Sequence, residues 1–146
     1  MNKLVVYGRP TTKKNSSRIV YHGKHPRVLP SKAFVDYEKD CLKQLQFFKK
    51  RVNYKGPISV QCRYYMPDFR GWPDLVGLLQ ATSDILTTAG VILDDMWITD
   101  YNGSEIVGVD KHNPRVEIQI DYAKPPHVLH EIWNRRNSRK RLGYLC

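Results

Sequence analysis

The sequence predicts an α+β fold: a small mixed or antiparallel β-sheet with two main helices on one face. Three observations lead there. Ile58, Val60, Cys62 and Tyr64 alternate with Ser59, Gln61, Arg63 and Tyr65, the period of two that a half-buried strand requires. The stretches 33–48 and 75–89 instead repeat their apolar residues at helical spacing. Strand-like and helix-like segments follow in the order β-β-α-β-α-β-β, joined by hairpins, which suits a sheet with its helices on one side. At 146 residues the chain has room for one compact domain, expected over residues 1–123, with a basic tail over 124–146.

Leu4 to Tyr7 is a β-branched and aromatic run closed by Gly8-Arg9-Pro10, hence a first strand and a turn. TTKKNSSR is a polar, basic loop. Residues 19–22 and 26–29 flank Gly23-Lys24-His25 and form a weak hairpin. Ser31 can cap a helix in which Ala33, Phe34, Tyr37, Cys41, Leu45 and Phe48 share one face to about Lys50. Its other face is charged, so the helix lies on something apolar, most simply the sheet.

The strand from Ile58 ends at Met66-Pro67-Asp68, and the loop FRGWP follows. Asp74 then opens a second helix with Leu75, Leu78, Leu79, Ile85, Leu86 and Ala89 on its apolar stripe and Gly90 as terminator. Gly77, Gln80 and Asp84 share the opposite face. Glycine there costs about 1 kcal/mol against alanine, so Gly77 points to close approach of another backbone or a ligand. Met96 to Tyr101 reads as a strand ending at the turn dipeptide Asn102-Gly103, and Ser104–Val109 and Arg115–Asp121 as two more. From Pro125 a short basic helix is expected, with Val128, Leu129, Ile132 and Trp133 on one side. It would dock on the domain or on a partner subunit, or order on nucleic acid.

The formal net charge of +10 suggests an anionic partner. Its distribution says more. Residues 1–35 hold eight Lys and Arg and no acid, and residues 124–141 hold six against Glu131. Between them, residues 66–110 hold eight acids against Arg70. Carboxylates repel phosphate unless a divalent cation sits between them, so this is the charge layout of a metal-dependent nuclease or polymerase. The same aspartates, taken singly, also serve as caps and turn formers.

Other chemistries find little support. Cys41, Cys62 and Cys146 are odd in number and contain no CxxC pair, which argues against a disulfide framework or a zinc site. The five histidines are scattered, and His127 and His130 read as surface residues. Neither a signal peptide nor a membrane span is legible, so a cytoplasmic protein is expected.

Asp74 stands at a helix start, and Asp94-Asp95 lie just past that helix's terminal glycine. In an extended segment only one of Asp94 and Asp95 can face the same site as Asp74, leaving the other to orient a ligand or a loop. Mg²⁺ takes one or two protein carboxylates and completes its shell with water and phosphate oxygens, so such a pair suffices for one ion; Mn²⁺ would serve as well. Lys13, Lys14 and Arg18 near one end of the chain, Arg70 in the loop, and Arg135, Arg136 and Arg139 in the tail are the candidate phosphate contacts. Phe69 and Trp72 could stack on DNA bases, or pack in the core or at a dimer interface.

The run PDLVGLLQATSDILTTAGVILDD resembles the core motif of RusA-type Holliday junction resolvases: an Asp-Leu-Asp-Asn-Leu helix start, an Asp one helix length on, a Gly, then Asp-Asp. Looser likeness extends over residues 1 to about 121, through YYMPD, GRPTTKKNSSR and PSKAFVDYEKD. The resemblance implies a dimeric α+β endodeoxyribonuclease that binds four-way DNA junctions and nicks them by Mg²⁺-dependent hydrolysis in recombination and repair, a habit of bacterial and prophage proteins. It places the metal on Asp74 and Asp95, with Asp94 alongside, and gives Asp84 a supporting role. Val76, Gly77 and Gln80 stand where the family pattern has Asp, Asn and Lys. Either Asp84, Asp68 or Asp100 supplies the missing oxygen and a residue such as Lys13 or Lys14 the missing charge, or the protein binds junctions with weak or no catalysis.

Overall fold

The computed structural model describes residues 2–13, 18–49 and 53–145. In chain order the elements are β1 (Asn2–Tyr7), β2 (Arg18–His22), β3 (His25–Leu29), α1 (Lys32–Lys49), β4 (Ile58–Met66), α2 (Leu75–Thr88), a 3-10 turn (Asp95–Trp97), β5 (Ile98–Asp100), β6 (Glu105–Val109), β7 (Arg115–Tyr122) and α3 (Val128–Leu145). The fold is α+β.

β4 is the centre of the sheet. β7 pairs with it antiparallel on one side, and β1 pairs antiparallel with β7 beyond. The alternation read from the sequence is physical: Ile58, Val60, Cys62, Tyr64 and Met66 are all buried, while Ser59, Gln61, Arg63 and Tyr65 are half-buried on the opposite face. Ile58, Val60, Cys62 and Tyr64 pack with Leu4, Val6, Val116, Ile118 and Ile120 of the neighbouring strands, and with Phe34, Cys41 and Leu45 of α1 and Leu78, Ala81, Ile85 and Leu86 of α2. Both helices therefore cover one face, and the core lies between them and the sheet. Cys41 and Cys62 are free thiols within it.

The expected hairpin at Asn102-Gly103 does not form. β5 and β6 both pair parallel with β4, one after the other along the same edge. The reason is edge length: β4 has nine residues and β5 only three, so one edge accommodates both short strands. Between the two pairings the Cys62 N–H donates to Ser104 Oγ at 2.9 Å, which keeps the buried backbone satisfied where the ladder breaks. A parallel neighbour needs a crossover rather than a tight turn, and α2 is part of the crossover from β4 to β5. The strand expected over Met96 to Tyr101 is shortened for a related cause, since Asp95–Trp97 winds into the 3-10 turn that buries Trp97.

Ser31 caps α1 as its sequence suggests, accepting the Phe34 N–H at 3.1 Å. Gly90 ends α2 with a φ of 75°, and the Val91 N–H folds back onto the Leu86 carbonyl at 3.0 Å. The β2–β3 hairpin turns at Gly23-Lys24 but forms a separate two-stranded ribbon, with Ile19, Tyr21 and Val28 64%, 69% and 72% exposed. The tail is a helix of 18 residues rather than a short one. It docks through Trp133, whose ring meets Trp97 edge-on at 5.0 Å between centroids. The same ring lies against Gly56, where a Cβ would sit 3.5 Å from it. No helix among the described residues is long and apolar enough to cross a membrane.

Inside the core the Tyr64 hydroxyl and Thr82 Oγ1 share a buried hydrogen bond of 2.7 Å that ties β4 to α2. Tyr64→Phe leaves Thr82 without that partner and is expected to cost about 1–2 kcal/mol, read as a lower denaturation midpoint. An unchanged midpoint would show that the bond does not hold the helix to the sheet.

Candidate active site

Asp74 is the N-cap of α2. It has extended backbone angles, and its Oδ2 accepts the Gly77 N–H at 3.0 Å. This arrangement explains Gly77. A Cβ there would sit 2.7 Å from Asp74 Oδ1 and 3.1 Å from Thr12 Cγ2. The close approach inferred from the sequence is thus made by the helix's own capping carboxylate and by the segment carrying Thr12.

That segment runs beside α2. Arg9 donates to the Arg70 carbonyl and pairs with Asp68 at 3.4 Å, which ties residues 9–12 to the loop before the helix. Further on, Lys13, Gly77, Gln80 and Ala81 line a cleft of about 510 Å³ together with Val28, Leu29 and Pro30. Lys13 Nζ reaches Asp84 Oδ2 at 3.2 Å. The face carrying Gly77, Gln80 and Asp84 is therefore the one that meets the basic N-terminal segment, and a lysine stands beside Gln80.

Asp94 and Asp95 lie where the chain returns after Gly90. Asp94 caps the 3-10 turn, accepting the Met96 N–H at 3.3 Å. The two carboxyls bear on each other's protonation, a bond between them favouring the proton on Asp95. Asp95 is raised above the ordinary carboxylate range by that bond to Asp94 first, then by burial and by the negative charges of Asp94 and Asp84. Asp94 is lowered, because it accepts from Asp95 and from Met96 and because the Arg136 guanidinium is near. Adjacent carboxylates disfavour each other's ionisation, and a positive charge between them relieves that. Tyr101 belongs to this neighbourhood: its hydroxyl, 2.8 Å from Ser83 Oγ, is raised by burial first and also by the charges of Asp95 and Asp84.

The structure therefore brings Asp94 and Asp95 together, with Asp84 of α2 within electrostatic reach. Asp74 lies ten residues before Asp84, about 15 Å along the helix axis, and has one oxygen committed to the cap. Asp68 and Asp100 are committed elsewhere. Asp68 pairs with Arg9 and Arg70. Asp100 accepts from Ser59 at 2.6 Å, from Thr99 at 2.9 Å and from the Asn102 N–H at 3.2 Å. Of Asp84, Asp68 and Asp100, Asp84 is the one whose charge bears on Asp95.

Of the basic candidates, Arg70 is largely exposed, Arg135 pairs with Glu131 at 2.7 Å on its own helix, and Arg139 lines a surface cavity with residues 125–131. Lys14 lies outside the described residues, as does the side chain of Arg18. Phe69 and Trp72 stack at 5.7 Å between centroids, exposed at the loop rather than packed in the core. Sequence reasoning missed Tyr101, Ser83 and the Trp97–Trp133 contact. Only the helical register of Trp133 hinted at the last.

Carboxylate oxygens are the donors that a hard divalent ion takes. Among the described residues no group of three or more His, Cys, Asp or Glu side chains is placed to hold a metal ion. The fitting ion is accordingly one that keeps water and substrate oxygens, as Mg²⁺ does.

Compared with known proteins, residues 7–121 match the model of the family described as Endodeoxyribonuclease RusA. No curated protein matches the sequence.

The acidic pair has a consequence for stability. The protonated form of Asp95 contributes stability that is present at low pH and lost as pH rises through its raised pKa; Asp94 contributes stability that is lost as pH falls through its lowered one. Asn at position 95 would still donate to Asp94 but carries no charge. Asp95→Asn is therefore expected to raise Tm at neutral pH in EDTA, measured by thermal denaturation, and a lower Tm would contradict the frustrated pair.

Proposed function

The chain belongs to the RusA endodeoxyribonuclease family, and from that membership we propose that it binds four-way (Holliday) DNA junctions and resolves them by Mg²⁺-dependent phosphodiester hydrolysis. The observation that carries the catalytic part of this reading is the adjacency of Asp94 and Asp95 at the 3-10 turn, with Asp95 raised by Asp94 and by the charge of Asp84.

Asp94 and Asp95 would hold the ion, with water and phosphate oxygens completing its shell, while Asp84 would act on it through its charge and Asp74 would act from the start of α2. Mn²⁺ would fit the same oxygen donors. When bound, the ion neutralises phosphate charge and activates a water for in-line attack. The protein's own groups do the rest. Lys13, held at Asp84, faces the cleft beside Gln80 and stands in for the cation that glutamine does not provide. The Asp74 cap and Gly77 fix the start of α2, and hence the line on which Asp84 lies. The Ser83–Tyr101 bond holds α2 to the turn after β5.

Lys13, Lys14, Arg18, Arg70, Arg135, Arg136 and Arg139 would contact backbone phosphates, giving affinity that falls steeply with salt. The exposed Phe69–Trp72 stack is placed for contact with unpaired bases or with a second copy. A homodimer fits the apolar β2–β3 ribbon, which nothing among the described residues covers.

A second reading, junction binding with weak or no catalysis, is favoured by one observation: Val76 is exposed and apolar where the family pattern has a carboxylate. A nicking assay on a synthetic junction separates the two. With Mg²⁺ the protein should nick, and Asp95→Asn and Asp84→Asn should each lower the rate by about 10- to 100-fold or more while retaining binding. Asn caps helices about as well as Asp, so loss of cleavage in Asp74→Asn with an unchanged Tm would assign its charge to the site. Nicking indifferent to both Asp74→Asn and Asp95→Asn would sink the proposal.

A further inference from the structure

α3 lies wholly beyond the residues that match the family model, yet it reaches the acidic pair. Its docking is specific. Trp133 fits between Trp97 and Gly56, and Gly56, with a φ of 117°, leaves open the space that a side chain would fill. Trp97 closes the same 3-10 turn that begins with Asp95.

One helical turn beyond Trp133 lies Arg136, whose guanidinium carbon is 5.3 Å from the Trp97 ring centroid. Its Nη1 donates to Met96 Sδ at 3.5 Å. Met96 and Trp97 directly follow Asp95, so these contacts hold the guanidinium at the rim of the acidic pair. The contrast with Arg135 is informative. Arg135 is neutralised by Glu131 on its own helix, whereas Arg136 has no carboxylate within ion-pair distance among the described residues. A ring face and a thioether support a guanidinium without using most of its N–H donors. The side chain is exposed, and a planar fork of donors beside a site that would bind phosphate through a cation suits a second phosphate.

We propose that Arg136, positioned by the Trp97–Trp133 contact, binds a DNA backbone phosphate adjacent to the one that is cut, making α3 part of the active-site grip. This rests on the junction-cleaving reading above. Among the described side chains of the tail, Arg136 is the basic one with contacts to the turn at Asp95–Trp97, and the proposal gives the helix a role at the scissile strand rather than a diffuse electrostatic one.

The test is junction binding in EDTA, which needs no metal and no turnover, for the full chain and for Arg136→Gln and Arg136→Lys across a range of salt concentrations. Arg136→Gln should weaken binding about five-fold or more and lower the slope of log affinity against log salt by about one. Arg136→Lys should restore the slope. Once wild-type cleavage has located the cut, a junction carrying a neutral methylphosphonate at a flanking phosphate should bind wild type more weakly but leave Arg136→Gln unaffected. Affinity and slope unchanged in Arg136→Gln would overturn the proposal. So would tighter binding, which would make the guanidinium a competitor for the acidic pair, or a loss that lysine does not restore accompanied by a fall in Tm, which would confine Arg136 to docking the helix. Failure of the wild-type protein to bind or nick junctions would instead defeat the functional reading itself.

Discussion

Asp94 and Asp95 are adjacent carboxyls, and the charges of Asp94 and Asp84 both disfavour the ionised form of Asp95. This constraint organises the molecule. Gly90 turns the chain after α2, so that Asp94 and Asp95 follow directly on the helix carrying Asp84. The N-terminal segment brings Lys13 to Asp84 from one side, and α3 brings Arg136 to Asp94 from the other. The core beneath, Tyr64 against Thr82 and β4 against α2, makes that placement rigid.

Neither flanking cation cancels the pair. Lys13 meets Asp84 rather than Asp95, and Arg136 is braced by Trp97 and Met96 instead of by a carboxylate oxygen. The acidic pair keeps its mutual repulsion. The family departures look coherent in this setting. Gly77 is dictated by the Asp74 cap and Thr12, Gln80 shares its cleft with Lys13, and the charge of Asp84 bears on Asp95.

Much of the fold was legible because it depends on local pattern. The alternation in β4, the stripes of α1 and α2, the Ser31 cap and the Gly90 terminator each follow from a few neighbouring residues. The Asn102-Gly103 turn misled because a turn dipeptide fixes the chain's bend but not its partner. Whether β5 pairs with β6 or both pair with β4 depends on the length of an edge formed some forty residues earlier, a feature no local window contains. The candidate site divides in the same way. Asp94-Asp95 stood out by adjacency, whereas Lys13 with Asp84, 71 residues apart, and Arg136 with Met96, 40 apart, exist only once the chain is folded. Asp74 was read correctly as a helix start. Its partner turned out to be Gly77, and the charge from α2 that bears on Asp95 is that of Asp84.

The proposal is that Asp94 and Asp95 are relieved of their mutual repulsion by a divalent cation. Thermal stability measured against Mg²⁺ concentration, in parallel for wild type and Asp95→Asn and without DNA, tests it most directly. The account predicts that wild-type Tm climbs with the logarithm of Mg²⁺ once the site begins to fill, while Asp95→Asn stays flat. Equal shifts in the two proteins, or none in wild type up to millimolar Mg²⁺, would contradict it.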